Sequence, residues 1–167
     1  MEQERQISPL PPVVIGGALV VPTGLLERTR GARQADPGQF AWDTERVAKL
    51  ALDAVLAAER RLHFEPRDVS SEKCGYDVES RIPGTGKLRF IEVKGRAKEA
   101  DTVTITKNEI LTAFNKPEDF ILAIVEVDGE EAAPRYLRQP FQREPDFGVT
   151  SVNYDLSKLW ARAEEPA

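Results

Sequence analysis

Two acids and an amine in the middle of the chain are suited to chemistry on a phosphodiester. Asp77 stands in Gly75-Tyr76-Asp77-Val78-Glu79; Glu92 and Lys94 stand in Phe90-Ile91-Glu92-Val93-Lys94-Gly95. The second stretch alternates as a strand does, so Glu92 and Lys94 project from one face. An acid and a lysine on an otherwise apolar strand are costly to bury without a partner or a task. If Asp77 ends the neighbouring strand, both carboxylates and the ammonium converge. Hydrolysing a phosphodiester requires a nucleophilic water, a neutralised phosphate and a stabilised leaving oxygen. A magnesium or manganese ion held by one or two carboxylates serves all three. Asp77 and Glu92 are the candidate ligands, with the backbone carbonyl of Val93 as a further one. Lys94 would face the scissile phosphate, orient the attacking water and counter negative charge as it builds. Gly75 and Gly95 flank the two limbs, where a missing side chain lets a backbone approach. The same residues also admit a buried salt-bridge network, in which Lys94 satisfies Asp77 and Glu92.

Other chemistries are excluded by composition. His63 is the only histidine and Cys74 the only cysteine. Triads built on histidine, paired-histidine zinc sites and disulfide frameworks are therefore impossible within one chain. Pro83-Gly84-Thr85-Gly86-Lys87 imitates a phosphate-binding loop but lacks its essentials. Arg81 stands where the first glycine belongs, and Leu88 replaces the Ser or Thr that follows the lysine. It reads as a hairpin turn instead. The net charge of −5 is opposite in sign to that of a free-standing nonspecific nucleic-acid binder. Any DNA contact must then be local, or supplied by a partner or a larger parent protein. No apolar run approaches the roughly twenty residues of a membrane span, and the N-terminus lacks the basic start of a secretory signal. A reducing cytoplasmic setting with no membrane association is expected.

The elements that must hold these residues can be read from periodicity. With 167 residues the chain suits one domain with a real core. Residues 1–40 read as an apolar N-terminal arm or linker: Leu10 to Pro22 is proline-bounded and glycine-interrupted, and Gly31 to Gly38 has the composition of a loop. Residues 41–167 form the domain proper. A long helix is predicted from Asp43 or Thr44 to about Leu62, with Val47, Leu50, Ala51, Ala54, Val55, Ala58 and Leu62 on its apolar side. Glu59 falls at the border of that arc. It is either a glutamate that reaches water or an arginine, or a third acid aimed at Asp77 and Glu92. A connector over Phe64–Glu72 precedes strands at Tyr76–Ser80 and Leu88–Lys94. A short strand over Asp101–Ile105 leads to Thr106, an N-cap with Glu109 three positions on, and a helix to about Asn115. Phe120–Val127 is the most hydrophobic strand and is expected to be central. Ala133–Arg138 follows across the Asp128-Gly129 turn, and Leu156–Ala163 closes the chain as a short helix anchored by Trp160. The order predicts a mixed α/β sandwich.

Gly75-Tyr76-Asp77, Ile91-Glu92-Val93-Lys94-Gly95 and Thr106-Lys107-Asn108-Glu109 resemble the family of C-terminal domains named after the plant protein NO VEIN, over roughly Trp42 to Val127. The resemblance implies an α/β restriction-endonuclease-like fold, a mixed central sheet flanked by helices, with the PD-(D/E)XK nuclease motif. By position, Asp77, Glu92 and Lys94 match that motif, and Glu59 matches a first-helix acid seen in some relatives, where it would serve a metal. Asn108 and Glu109 match the family's second signature. Tyr76 stands where the motif has its proline. Such domains often sit at the end of helicase-like proteins of bacterial defence systems, so the resemblance implies DNA and a helicase-type parent or partner as associates. Many nucleases of this fold act as homodimers. Taken together, a Mg2+- or Mn2+-dependent DNA endonuclease is expected, the alternative being an inactive module of the same fold used for docking or DNA sensing.

Overall fold

The computed structural model describes residues 37–98 and 100–167. The apolar segment expected over 10–22 and residues 31–36 of the loop expected over 31–38 lie outside the described residues. From Gly38 onward the chain forms one compact unit.

Helix α1 spans Pro37–Arg61, six residues earlier than Asp43. Proline is tolerated in the first turn of a helix, where its missing N–H has no intrahelical partner in any case. Beyond Gly38, itself in the first turn, the sequence to Arg61 contains neither proline nor glycine. Pro37 and Gly38 are therefore helical rather than part of a linker. Strands β1 (Glu65–Asp68) and β2 (Val78–Arg81) follow, separated by a 3-10 turn at Ser70–Glu72. Then come β3 (Leu88–Ala97), β4 (Thr102–Thr106), α2 (Lys107–Asn115), β5 (Phe120–Asp128), β6 (Glu131–Arg138), β7 (Ser151–Asp155) and α3 (Leu156–Trp160). Among the described residues no helix is long and apolar enough to cross a membrane.

Five strands form a mixed sheet in the order β1-β2-β3-β5-β6. Only β3 and β5 run parallel, Glu92 opposite Leu122 and Lys94 opposite Ile124. Their connection runs through β4 and α2. The central position belongs to β3, with β5 beside it and buried along almost its whole length. A strand covered on both faces carries no polar alternation, and Phe120–Val127 has none. Pro134 sits in β6, at the sheet's edge, where a missing N–H costs no ladder bond.

Each face of the sheet has its own core. On one face α1 lays Ala51 and Val55 against Val78, Ile91, Ile121, Ala123 and Val125. The approach is close at Gly95, where a Cβ would lie 2.7 Å from the Ala51 Cβ and 2.9 Å from the Val47 carbonyl oxygen. The other face is covered by α2, α3 and the separate β4–β7 ribbon, through Val103, Ile105, Ile110, Phe120, Leu122, Ile124 and Leu159. Leu159 is the deeply buried anchor of α3. Trp160 is only half-buried and packs at the margin of that core. The glycine-rich stretch 83–86 is the turn between β2 and β3, closed by Ile82 N–H donating to the Lys87 carbonyl at 2.9 Å.

Candidate active site

Alternation along β3 sends Arg89, Ile91 and Val93 toward α1, and Phe90, Glu92 and Lys94 toward α2. Because β3 is central, both sets are covered. Glu92 is 4% exposed, and its Oε1 lies 2.6 Å from Lys94 Nζ. The same ammonium is 2.9 Å from Oε2 of Glu109.

Asp77 enters from the neighbouring limb, one residue before β2 begins. Its backbone is held on both sides: the N–H donates to the Ile91 carbonyl at 2.9 Å, and the carbonyl accepts from Val69 at 2.8 Å. One carboxylate oxygen accepts the Val93 N–H at 2.9 Å. In an extended strand the N–H and C=O of a residue point to the same side, so the Val93 carbonyl also leaves β3 on the edge that Asp77 occupies. Tyr76 packs its ring against Phe90, centroids 4.9 Å apart, which holds the limb without the motif's proline. Gly75 takes φ +90°, and a Cβ there would lie 2.3 Å from the Thr112 hydroxyl oxygen and 3.1 Å from the Asn108 amide nitrogen. Helix α2 is thus pressed onto the limb that carries Asp77.

These residues border a cavity of about 240 Å³ lined by Ser70, Lys73, Gly75, Tyr76, Asp77, Glu92, Asn108 and Glu109. Its rim residues Ser70, Lys73 and Asn108 are exposed, so the cavity opens to solvent. A larger hollow of about 940 Å³ lies among residues 140–162, but it holds none of the motif residues. The desolvated acids line the smaller one.

The electrostatics are lopsided. Burial pushes the Glu92 carboxyl up to about 8, with the charges of Asp77 and Glu109 adding to the rise and Lys94 opposing it. Asp77 is also raised, again first by burial, against the Val93 hydrogen bond and Lys94. Burial disfavours the Lys94 ammonium, yet Glu92 and Glu109 outweigh it and hold its pKa above the ordinary value. Glu92 and Glu109 share one ammonium, Asp77 lies within reach of its charge, and carboxyl groups outnumber cations in the cluster. Among the described residues no three acid, imidazole or thiol groups are gathered into a cage for a metal. Magnesium needs only one or two carboxylates, completing its shell with water and substrate oxygens. Asp77 and Glu92, with the Val93 carbonyl, fit that smaller set.

Glu59 is not brought to this site. It lies on the opposite face of β3, fully buried, with Oε1 accepting from the Tyr136 hydroxyl at 2.8 Å and 3.2 Å from Arg89 Nη2. Its position at the border of the helix's apolar arc was compatible with either face of the sheet; packing of α1 against Ile91 and Val93 decides it.

A model of the family described as "Protein NO VEIN, C-terminal" matches residues 47–137, more than half of the chain. The chain belongs to that family. No curated protein matches it in sequence. Among solved structures, Hjc of Archaeoglobus fulgidus, a Holliday junction resolvase from an archaeal hyperthermophile, is similar at 17% identity with a TM-score of 0.46, covering 69% of this chain and 96% of that one. For this NO VEIN domain, both signatures read from the sequence meet at one cavity. Asp77 and Glu92 line it with Asn108 and Glu109, and Lys94 bridges two of the lining acids. Glu109 also completes the expected capping box, its Oε2 accepting the Thr106 N–H at 3.0 Å. Ser70 and Lys73 were not anticipated as lining residues. They sit on a short turn whose geometry depends on Lys73 adopting φ 52°, a conformation for which a lysine gives no sequence signal.

Proposed function

We propose that this domain is a magnesium-dependent endonuclease of the restriction-endonuclease-like class, hydrolysing DNA phosphodiesters as a module of a helicase-type or bacterial defence protein. The observation that carries the reading is the open cavity lined by Asp77, Glu92 and Glu109, with Lys94 paired to two of them, an excess of desolvated carboxyl groups over cations beside solvent. A hard cation relieves that excess. Family membership agrees with the assignment through the Gly-Tyr-Asp and Glu-Val-Lys positions.

In this mechanism Asp77 and Glu92 would hold the ion together with the Val93 carbonyl, and manganese would serve in place of magnesium. When bound, the ion offsets phosphate charge and acidifies water. Asp77 is aimed by the Val93 N–H, and Glu92 is fixed by its place in the central strand. Lys94 presents its ammonium to the phosphate and counters the charge that develops there. Lys73, on the exposed rim, adds positive charge where a nucleic-acid backbone would approach. The net charge of −5 makes the contact local, with a partner, a parent protein or a second copy of the chain supplying further surface. The free Cys74 thiol agrees with a cytoplasmic setting.

Calorimetric titration with MgCl2 and cleavage of supercoiled plasmid test this reading together. The wild type should take up the ion, Asp77→Asn should lose it, and Lys94→Ala should cut at least ~100-fold more slowly with its fold intact. Equal, metal-independent cutting with and without Lys94 would refute it. A second reading, an inactive docking or DNA-sensing module, is favoured by the two short ion pairs that already engage Lys94. It predicts no heat from MgCl2 at all.

A further inference from the structure

Glu109 has two obligations at one oxygen. Its Oε2 accepts the Thr106 N–H at 3.0 Å, and the same atom lies 2.9 Å from Lys94 Nζ. The Glu109 N–H donates in return to the Thr106 hydroxyl oxygen at 3.4 Å, so the carboxylate is fixed by the first turn of α2. Lys94, by contrast, is divided between Glu109 and Glu92. The neighbouring Asn108 packs its amide over Gly75, on the limb that leads to Asp77. One helical turn therefore touches both limbs of the site.

We propose that Glu109 is a positioning residue that keeps Lys94 beside the cavity's acids when Glu92 turns its carboxylate to a cation. The inference rests on the nuclease reading above and gives the Asn-Glu signature a task in it. With Glu92 engaged elsewhere, Lys94 loses its 2.6 Å partner and is repelled by the incoming positive charge. A lysine has four rotatable bonds and would swing to water unless a second anion holds it. Glu109 is that anion, and its cap keeps it from following the lysine. The side chains of both are largely buried, which strengthens the pair compared with one in water.

Substitution by glutamine separates the two obligations, because Gln also completes a capping box but carries no charge. The full chain, as wild type, Glu109→Gln and Glu109→Ala, is compared in three ways: thermal melting, calorimetry with MgCl2, and NMR of the lysine ammonium groups, with Lys94 assigned by its loss in Lys94→Arg. Glu109→Gln should melt close to the wild type and still take up Mg2+, only modestly more weakly for the one charge removed. Its Lys94 ammonium signal, persistent in the wild type with saturating MgCl2, should vanish into exchange with water. Cleavage of supercoiled plasmid should fall in kcat by about tenfold to a hundredfold with KM unchanged, the scale of a misplaced group. Glu109→Ala should show the same loss and a lower melting temperature. A persistent Lys94 signal in Glu109→Gln overturns the inference, leaving Glu109 a cap alone. Collapse of Mg2+ affinity in that variant overturns it too, by making Glu109 a ligand. If the wild type takes up no Mg2+, the nuclease reading falls and this inference with it; uptake with an unaltered glutamine variant removes this inference only.

Discussion

Strand β3 carries a charged cluster on each face, and the two differ in balance and access. Toward α1, the Glu59 carboxylate meets the Arg89 guanidinium, whose Nη1 also donates to the Ala167 carbonyl at 2.9 Å, and the Tyr136 hydroxyl donates to the same Glu59 oxygen. The Phe64 ring lies 4.6 Å and the Tyr136 ring 5.7 Å from the guanidinium carbon. The pair is matched in charge and enclosed by rings. Toward α2, three carboxyl groups line an opening to solvent, and two of them share Lys94. Buried charge by itself therefore does not mark a site in this molecule. What distinguishes the α2 side is an unmatched charge that something from outside can complete, and such a cluster is expected to cost stability until it is completed.

The largest expected effect comes from breaking the matched pair. Glu59→Ala takes the carboxylate from a buried arginine, leaving it only the Ala167 carbonyl, and should destabilise the protein by about 3–5 kcal/mol. In a domain of this size that lowers the melting temperature by roughly 6–20 °C. Mg2+ uptake at the other face should survive in the molecules that remain folded. Calorimetry and a melt on the same sample check both halves. Loss of Mg2+ uptake together with an unchanged melt would return Glu59 to the site and undo the contrast between the faces.

Removing an acid from the unmatched cluster should do the opposite. Glu92 is raised by burial from its ordinary 4.5 to about 8, so the folded state holds a proton that the unfolded state releases across that interval. Stability from this source is full below about pH 4.5 and is lost as pH rises toward 8, at no more than about 1.4 kcal/mol per pH unit. Asp77, raised in the same direction, adds to the decline. Glu92→Gln should flatten the slope in metal-free protein and melt higher than the wild type at pH 8, since Glu109 still holds Lys94. Adding MgCl2 at pH 8 should stabilise the wild type and leave the variant unchanged. A variant that melts lower at pH 8 would identify the cluster as a structural ion pair.

Legibility in the sequence followed the range of the interactions. The pairing of Glu92 with Lys94 is visible because strand alternation is local, and the Thr106–Glu109 box because it closes within four residues. The hydrophobic run of β5 announces burial on both sides. By contrast, β1 and β7 are short and mostly exposed; they are strands because β2 and β4 offer them an edge, with Glu65 opposite Arg81 and Ser151 opposite Thr106. Glu59 was ambiguous for the same kind of reason. A helix states how its residues share an arc, but the partner strand decides which side of the sheet that arc meets. The contact from Glu109 to Lys94 joins two elements across a turn of the fold, and nothing in either segment alone requires it.

The smallest expected effect lies on the exposed side of α1. Lys49 Nζ is 2.7 Å from Asp53 Oδ2, closer than Arg89 is to Glu59, and the two side chains are 76% and 55% exposed. If distance set the energy, this pair would outrank the buried one. Water screens it, and holding two long side chains in one geometry costs entropy, so Lys49→Ala should change stability by only about 0.3–0.5 kcal/mol. Added salt should shrink even that, whereas the loss in Glu59→Ala should persist at high ionic strength because its partners are shielded from counterions. Parallel melts of the two variants in low and high salt test the point. A salt-insensitive loss at Lys49 as large as that at Glu59 would mean that burial does not govern these clusters, and the argument separating the two faces of β3 would lose its physical basis.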